Sequence, residues 1–323
     1  MMLNFSSSLS NSRIRGLIEA VDYIPFLELS NPKKVMRSRV VSIVDLENEV
    51  RSALEDKRPL LVTRYGTAEG ELIRAELTNG LENDFRRLPH LRTQLWTHAG
   101  IFPPEVATYK STSSILIDAY SKADIIGVRF QEPYYWRLET FLNLIVSPNA
   151  KLVDISSVFP CEDLNFWHAS LKERKILVVH PFNTSIEKQI SFFRENSSSN
   201  SFWNKTDFNI LQAVQSISAD KYSFQFSNWD HALESMKEKM EKVDFEIALI
   251  GCGAYGAVLA SHAKTLGKVA LHIGGALQLF FKISGTRWVD NKSIVPISAN
   301  GWIRPSADET PSQYEKHEGG AYW

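Results

Sequence analysis

Residues 245–275 read FEIALIGCGAYGAVLASHAKTLGKVALHIGG. The apolar run Phe245–Ile250 predicts a buried strand, a glycine-rich turn leads into a helix over Ala254–Leu266, and the apolar run Val269–Ile273 predicts a second strand. Two buried strands joined by a helix are typical of a βαβ unit, in which the strands lie parallel in one sheet. This stretch therefore indicates a parallel sheet that is covered by helices.

The same alternation of apolar strands and amphipathic helices extends over most of the chain. The other predicted strands are Leu60–Thr63, Asp124–Val128, Lys151–Ile155, Lys175–His180 and Tyr222–Phe226. Helices are predicted over Val44–Leu54, Ile115–Ala119, Phe141–Ile145, Leu164–Leu171, Thr184–Arg194 and Trp229–Val243. A further helix is predicted after residues 64–69 and ends at about Leu77. Strands that are buried on both faces require helices on both sides, so the predicted fold is an open, doubly wound α/β protein with a mainly parallel sheet.

The alternation of predicted strands and helices also indicates the domain organisation. The chain has 323 residues, enough for two modest domains or for one large α/β unit. The unbroken strand–helix alternation favours one α/β domain over residues 41–300. Residues 1–40 are weakly patterned, with one short helix predicted over Ile14–Val21, and form a predicted N-terminal extension. Residues 301–323 end in aromatic side chains, which predicts a tail that docks on the domain.

The charge balance excludes one class of partner. With 36 Lys and Arg against 37 Asp and Glu, the formal net charge is −1, so the chain lacks the basic surface that nucleic-acid binding requires. A small anionic ligand is compatible with this neutrality, because a helix N-terminus and one or two arginines suffice to hold a phosphate.

No segment predicts export or a membrane span. Residues 1–15 lack the apolar core of a signal peptide. The longest uncharged stretch, Ile247–Ser261, is too short to cross a bilayer and is interrupted by glycines. Cys161 and Cys252 are too few for a disulfide framework. We expect a cytoplasmic protein with two reduced thiols.

The predicted fold also indicates where a ligand binds. Ligands of doubly wound sheets bind outside the carboxyl ends of the strands. The loops that follow the predicted strands are therefore the candidate binding segments: residues 64–71, 129–133, 180–185, 226–229, 251–256 and 272–278.

The loop at residues 251–256 matches the G-x-G-x-x-G pattern. Its glycines allow a tight turn and let backbone amides approach a phosphate at the helix N-terminus. The residues concerned are Gly251, Gly253, Ala254, Tyr255 and Gly256. A dinucleotide site also needs an acid at the end of the next strand, and residues 272–275 contain no carboxylate. The pattern therefore indicates a phosphate-binding or tight turn, or glycines that only permit close helix–strand packing, more than it indicates an NAD site.

A second group of candidates follows the last predicted strand: His272, Gly274, Gly275, Gln278, Arg287 and Trp288. The adjacent glycines let a ligand come close, Arg287 can pair with a phosphate, and Trp288 can stack on a base or a sugar. Each side chain also has a plain alternative, because Arg287 can pair with Asp290 and Trp288 can pack in the core. The density of such residues favours a binding role.

Two further strand ends carry candidates. The loop after the first strand reads Arg64-Tyr65-Gly66-Thr67-Ala68-Glu69-Gly70-Glu71. Glu69 and Glu71 fall in the first turn of a helix, where acids complement the helix dipole, but they also suit contact with a metal-bound diphosphate or removal of a proton. At the end of another strand, His180 is a candidate acid, base or hydrogen-bond donor, and Asn183 either caps the next helix or contacts the ligand.

Residues 64–69 resemble the R-[FY]-G-D-x-E segment of the GT-D type bacterial glycosyltransferases, and the 251–256 turn with residues 272–275 resembles the later part of that family. The resemblance implies a Rossmann-like enzyme that transfers a sugar from a nucleotide donor in the assembly of bacterial surface polysaccharides or glycoconjugates. It places the two acids of the motif beside the metal and the donor diphosphate. Glu69 matches the second acid, but Thr67 stands in place of the first, and a hydroxyl is a weak ligand for a divalent cation. Metal dependence is therefore open.

The resulting prediction is a glycosyltransferase that takes a nucleotide sugar, with a UDP-sugar expected, and a glycan acceptor. Glu69, Glu71 and His180 are the catalytic candidates, and Glu69 is the candidate ligand for Mn²⁺ or Mg²⁺. The donor-binding candidates are Arg64, Tyr65, Gly66, Thr67, Asn183, Gly251, Gly253, Ala254, Tyr255, Gly256, His272, Gly274, Gly275, Gln278, Arg287 and Trp288. Two alternatives stay open: a dinucleotide-binding oxidoreductase that uses NAD(P), and a non-catalytic nucleotide- or glycan-binding protein. A homo-oligomer is compatible with the sequence.

Overall fold

A computed structural model describes residues 36–78, 80–82, 85, 89–159, 167–216, 225–289, 301–317 and 319–323. The strands are β1 (Leu60–Arg64), β2 (Ile125–Val128), β3 (Lys151–Asp154), β4 (Lys175–His180), β5 (Asp207–Gln212), β6 (Ile247–Ile250) and β7 (Val269–His272). The α-helices are α1 (Ile43–Glu55), α2 (Thr67–Thr78), α3 (Pro89–Thr97), α4 (Val106–Ser121), α5 (Pro133–Ile145), α6 (Asn183–Glu195), α7 (Phe202–Lys205), α8 (Trp229–Glu241), α9 (Tyr255–Thr265), α10 (Leu277–Phe280) and α11 (Thr286–Val289). Short 3-10 helices cover Arg37–Arg39, Ile155–Ser157, Trp167–Leu171, Gly274–Ala276, Ala307–Glu309 and Tyr314–Lys316. None of the helices in these ranges combines the length and the apolar character that a bilayer crossing needs.

The seven strands form one sheet in the order β3-β2-β1-β7-β6-β4-β5, and every pairing between them is parallel. The chain winds outward from β1 to β3, crosses to β4 and β5, and returns through β6 to β7, which pairs with β1. Crossings in opposite directions place their helices on opposite faces, because parallel crossovers are right-handed. The predicted doubly wound α/β fold is confirmed.

Each face of the sheet carries its own apolar core. Leu177 and Val179 of β4 belong to the core that also contains residues of α2, α4, α5, α8 and α9. Ile176 and Val178 of the same strand pack with α1, α6 and the segment after β7. Because successive strand residues point to opposite faces, a strand between two cores is apolar throughout.

One predicted strand is wrong. The edge strand is β5, whereas Gln225 and Phe226 of the strand predicted over Tyr222–Phe226 belong to no strand, and residues 222–224 lie outside the described residues. Most side chains of β5 are partly or fully exposed, because this strand lies at the edge of the sheet, so it lacks the apolar run that marks the central strands. The loop that reaches the strand ends is consequently 213–216, not 226–229. The helix predicted over Ile14–Val21 also lies outside the described residues.

The helix starts use the side chains that usually cap helices. At α1, the hydroxyl of Ser42 accepts from the backbone N–H of Asp45 at 3.1 Å, and the Asp45 carboxylate accepts from the Ser42 backbone N–H at 2.8 Å. At α8, the side-chain oxygen of Asn228 accepts from the backbone N–H of His231 at 2.8 Å. Such caps satisfy N–H groups that have no partner inside the helix. Asn228 therefore has a structural role in the 226–229 loop.

Glu309 and residues 319–323 pack beside the carboxyl ends of β4 and β7. The ring of Trp323 lies 5.8 Å from that of Phe182, and its indole N–H donates to the carbonyl oxygen of Glu309 at 3.0 Å. The carboxylate of Glu309 accepts from the backbone N–H of Ser185 in the first turn of α6, at 3.2 Å to each oxygen. These contacts hold aromatic side chains at the end of the sheet where such folds bind ligands.

Candidate active site

A cavity of about 650 Å³ lies over the carboxyl ends of the strands. Its wall contains residues from the loops after β1, β2, β4, β5, β6 and β7, from the end of α3 and the loop after it, and also Arg287, His317, Tyr322 and Trp323. This is the position at which a doubly wound sheet binds its ligand, and the volume suits a small molecule.

Arg64, the last residue of β1, reaches over the loop that follows β7. Its guanidinium packs on the Cα of Gly274, where any side chain would collide with it. Gly274 also has a φ of +73°, so a side chain at this position would both strain the backbone and displace the guanidinium. The Nε atom of Arg64 is buried and has no acceptor among the described residues. Arg64 also lines the cavity, and its Nη1 donates a long hydrogen bond, 3.4 Å, to the carbonyl oxygen of Tyr65.

Glu69 is the acid of the predicted motif that reaches the cavity. It lies in the first turn of α2, is 8% exposed, and its carboxylate lies against the Cα of Gly66, which leaves no room for a larger residue there. Burial raises the pKa of the neighbouring Tyr120 phenol, and the negative charge of Glu69 raises it further. A carboxylate is thus held at the cavity wall at the end of β1.

Arg129 directly follows β2 and lines the same wall. Its Nε donates to Oε1 of Glu139 at 2.7 Å, and its backbone N–H donates to Oε2 at 2.8 Å. Its Nη1 donates to the hydroxyl of Thr67 at 3.0 Å. Burial raises the pKa of Glu139, and the positive charge of Arg129 opposes that shift. A second guanidinium is therefore fixed beside Thr67 by a buried carboxylate.

The glycine turn after β6 divides its residues between the cavity and the core. Gly251, Gly253 and Tyr255 line the cavity. Gly256 packs on the imidazole of His272, whose Nδ1 lies 3.0 Å from the hydroxyl of Thr63. The last glycine of the pattern therefore serves close helix–strand packing, while the first two place the N-terminus of α9 at the cavity.

His180 ends β4 and lies at the cavity as a neutral side chain. It is 2% exposed, and burial lowers its pKa to about 3. Its Nδ1 accepts from the backbone N–H of Phe182 at 3.0 Å, which places the proton on Nε2. Among the three roles predicted for His180, this geometry favours the hydrogen-bond donor.

The wall beside β7 is completed by residues distant in sequence. The Tyr322 ring lies on the Cα of Gly275, and the Tyr322 hydroxyl accepts from Nη1 of Arg287 at 2.9 Å. Gln278 is fully buried, and its amide N–H groups donate to the carbonyl oxygens of Ile283 at 3.1 Å and Tyr322 at 3.2 Å. Its Oε1 has no donor in the described part of the chain. An unsatisfied acceptor at a cavity wall suits a ligand hydroxyl.

Several predicted site residues do not line the cavity: Tyr65, Glu71, Asn183, Ala254, Gly256, His272, Gly274 and Trp288. Glu71 pairs with Arg74, three residues further along α2, at 2.8 Å. Glu69 and Glu71 are two residues apart on the helix and therefore face different directions. The hydroxyl of Tyr65 lies 2.8 Å from that of Ser147 in the core. Trp288 is buried in an apolar core with its ring 5.7 Å from that of Tyr322, so its role is packing and not stacking on a ligand. Asn183 begins α6, and Ala254 precedes α9 as its N-cap.

The sequence reasoning missed Arg129 and Glu139 as individual residues. Arg129 belongs to the predicted loop 129–133, but nothing local marks it as a ligand-binding side chain. The available signal was an arginine directly after an apolar strand with an acid ten residues later. Val214, Gln215 and Ser216 also line the cavity and were missed, because β5 was misplaced.

A model of the GT-D fold-like domain matches residues 41–280, which include every strand of the sheet. The chain belongs to the GT-D-like family. This confirms the resemblance drawn from residues 64–69 and the 251–256 turn, and membership supports glycosyltransferase activity.

Two solved structures resemble this GT-D-like chain. A selenomethionine-substituted structure of the domain of unknown function 1792 has 14% sequence identity and a TM-score of 0.42, with 84% of this chain and 92% of that chain covered. A second, described as the highly conserved domain of unknown function 1792 with a distinct glycosyltransferase fold, has 15% identity and a TM-score of 0.45, with coverage of 88% and 96%. Among curated protein sequences, none matches.

Proposed function

We propose that this GT-D-like protein is a glycosyltransferase that binds a nucleoside-diphosphate sugar, a UDP-sugar in the first instance. The observation that carries the proposal is that one cavity is lined by both Arg64, whose Nε has no acceptor among the described residues, and Glu69 with its carboxylate. A phosphate oxygen supplies the acceptor that the arginine lacks, and a carboxylate suits an acceptor hydroxyl that must lose its proton.

The helices around the cavity support binding of the diphosphate. The first residues of α2 and α9, Thr67 and Tyr255, both line it. Helix N-termini carry partial positive charge and unpaired N–H groups, which attract phosphate. At α9 the N-cap residue Ala254 has no side chain that could cap these groups. With Arg64, they form a fixed set of donors for the negative charge of a leaving diphosphate.

The proposed reaction breaks the bond between the anomeric carbon of the sugar and its phosphate oxygen. The electron pair of that bond stays on the departing nucleoside diphosphate. The hydroxyl oxygen of the acceptor forms the new bond to the anomeric carbon, and its proton passes to the carboxylate of Glu69. We assign Nε2 of His180 and Oε1 of Gln278 to hydrogen bonds with hydroxyl groups of the bound sugar.

The acceptor in this proposal is a glycan of a bacterial surface polysaccharide or glycoconjugate, and the location is the cytoplasm. Support for the acceptor comes from membership of the GT-D-like family. Support for the location comes from the low cysteine count and from the buried, unpaired thiol of Cys252.

The test is a ligand panel measured by thermal unfolding and calorimetry. UDP, GDP, dTDP and their sugar conjugates are compared with CMP-sugars and NAD(P). A ligand present at one hundred times its Kd stabilises the fold by about 2.7 kcal/mol, so binding is readily detected. Arg64→Met should weaken binding of the diphosphate, whereas Arg51→Met on the exposed face of α1 serves as the matched control.

The outcomes separate the competing functions. Release of nucleoside diphosphate that depends on a glycan acceptor supports transfer. Stabilisation by NAD(P) alone would instead indicate the dinucleotide-binding oxidoreductase. Binding of a nucleotide sugar with no turnover over a broad acceptor panel would indicate a non-catalytic binding protein.

A further inference from the structure

The donors around Thr67 do not suit a divalent cation. The Thr67 hydroxyl already accepts from Nη1 of Arg129 at 3.0 Å. The acids on the described cavity wall are Glu69 and Glu132, and the described ranges contain no group of three or more acidic, histidine or cysteine side chains that could hold a metal. Hard cations such as Mn²⁺ need several oxygen ligands, chiefly carboxylates. A cation at Thr67 would also lie beside a fixed guanidinium of the same charge sign.

Arg129 is held in place before any ligand binds. Its Nε and its backbone N–H donate to the two carboxylate oxygens of Glu139, at 2.7 and 2.8 Å. The Glu139 side chain is fully buried, and that of Arg129 is 11% exposed. The Tyr135 ring covers the guanidinium, with Cζ 3.8 Å from the ring centroid. Binding a ligand therefore requires little reorganisation of this cation.

The guanidinium of Arg129 has donors that the protein does not use. A guanidinium carries five N–H groups, and the bonds to Glu139 and Thr67 engage only Nε and Nη1. Nη2 is buried and finds no acceptor among the residues that the structure describes. Buried N–H groups without an acceptor are unfavourable, so a ligand oxygen that satisfies them gains affinity. Arg129 and Thr67 both line the cavity, so a ligand bound there is the molecule placed to supply such an oxygen.

We propose that Arg129 takes the place of a divalent cation: its Nη2 binds phosphate oxygens of the donor diphosphate, and sugar transfer proceeds without metal. This inference rests on the proposed function. As the bond to the anomeric carbon breaks and its electron pair passes to the phosphate oxygen, the guanidinium compensates the charge that develops there. The proton of the acceptor hydroxyl passes to Glu69, as in the reaction described above.

Thr67 keeps this cation available to the ligand. Its hydroxyl accepts one hydrogen bond from Nη1 without adding a negative charge. An aspartate at the same position would bring a second carboxylate to Arg129 and compete with the phosphate for its N–H groups. Thr67→Asp should therefore weaken binding of the diphosphate in the absence of metal.

The test is calorimetry with UDP, in buffer with EDTA and in buffer with Mn²⁺. The wild-type protein should give the same Kd in both buffers. Arg129→Met should raise the Kd in both by about 10- to 100-fold, the loss expected for a charge-assisted hydrogen bond. Arg137→Met, an exposed arginine on α5, is the matched control and should leave the Kd unchanged.

A second variant separates binding from folding. Arg129→Met leaves the buried Glu139 carboxylate without its cation, which destabilises the fold. The double variant Arg129→Met/Glu139→Gln removes both charges, and its circular dichroism and melting curve establish that it is folded. It should show the same weakened UDP binding, and Thr67→Asp should raise the Kd in EDTA as well.

Three results would overturn the proposal, and they do so in two different ways. UDP binding that requires Mn²⁺, or folded Arg129 variants that bind UDP as the wild-type protein does, would refute the role of Arg129 and leave the proposed function standing. If UDP, GDP and dTDP all fail to bind with and without Mn²⁺, the proposed function fails, and this inference fails with it.

Discussion

The two walls of the cavity differ in chemistry. The charged wall, after β1 and β2, contains Arg64, Glu69 and Arg129. The other wall, after β4, β6 and β7, contains the uncharged His180, the 251–256 turn and Gln278, together with Arg287, which donates to the Tyr322 hydroxyl; we call it the neutral wall because its strand-end side chains are uncharged. In sugar transfer, charge changes at the leaving phosphate and at the acceptor proton, while the sugar between them needs only orientation. The charged wall therefore suits the phosphate and the acceptor proton, and the neutral wall suits orientation of the sugar.

The largest effect is expected from Glu69→Gln on the charged wall. Removal of the proposed base should lower kcat by about 10²- to 10⁴-fold, with the Kd for UDP unchanged. Steady-state kinetics with the best donor and acceptor measure the loss. Glu71→Gln is the matched control on the same helix, because Glu71 pairs with Arg74 away from the cavity. Equal losses in the two variants would remove the distinction between these acids.

Two buried histidines, His180 on the neutral wall and His272 at the end of β7, should make stability fall as pH falls. Burial lowers the pKa of His180 and His272 to about 3, so the folded state stays unprotonated at pH values where the unfolded chain binds protons. Their contribution is complete above about pH 6.5 and is lost towards pH 3, at about 1.4 kcal/mol per pH unit for each histidine. Urea unfolding at pH 7, 6 and 5 gives this slope. His180→Asn should reduce this slope by the contribution of one histidine, about 1.4 kcal/mol per pH unit. An unchanged slope would contradict the effect of burial on the pKa of His180.

Gly274→Ala tests the contact between the two walls, where Arg64 of the charged wall packs on the loop after β7. A side chain at a φ of +73° costs about 1–2 kcal/mol, and it also pushes the Arg64 guanidinium away. Gly267→Ala is the matched control, since Gly267 has a φ of +79° and its added methyl group meets no described atom. Both variants should lose similar stability in urea. Only Gly274→Ala should weaken UDP binding, by about tenfold, and equal affinities would disconnect Gly274 from the site.

The smallest effect is expected from Tyr255→Phe on the neutral wall. The Tyr255 hydroxyl lies 3.0 Å from that of Ser216, and its ring stacks on Trp229 at 4.8 Å. Loss of the hydroxyl should cost about 1 kcal/mol of stability and leave kcat unchanged, because the ring contact is kept. A substantial fall in kcat would show that the neutral wall takes part in the chemistry.

The same contrast explains what the sequence could predict. Central strands such as β4 and β6 are apolar on both faces, so their sequence alone identifies them. The edge strand β5 carries polar and partly exposed side chains and was therefore missed. Because β5 was not predicted, residues 214–216, which follow it, were also absent from the predicted site.

Site residues were predictable where a local motif carries them. Arg64 and Glu69 follow a strand within one short segment, so their convergence is a local event. The position of the Arg129 guanidinium depends on its ion pair with Glu139 of α5. The position of the Tyr322 ring depends on its packing against Gly275. Such contacts arise from tertiary structure, for which the local sequence carries no pattern.

The pairing of β1 with β7 has a consequence for the order of assembly. Thr63 and His272, hydrogen-bonded neighbours at the ends of these strands, are separated by 209 residues. Contacts between such distant residues are slow to form, because a long loop must close before they contribute. The Arg64 guanidinium can contact Gly274 only after β1 has paired with β7. The charged wall and the glycine turn can therefore each acquire local structure early, but the cavity between them exists only after one of the last pairings of the sheet.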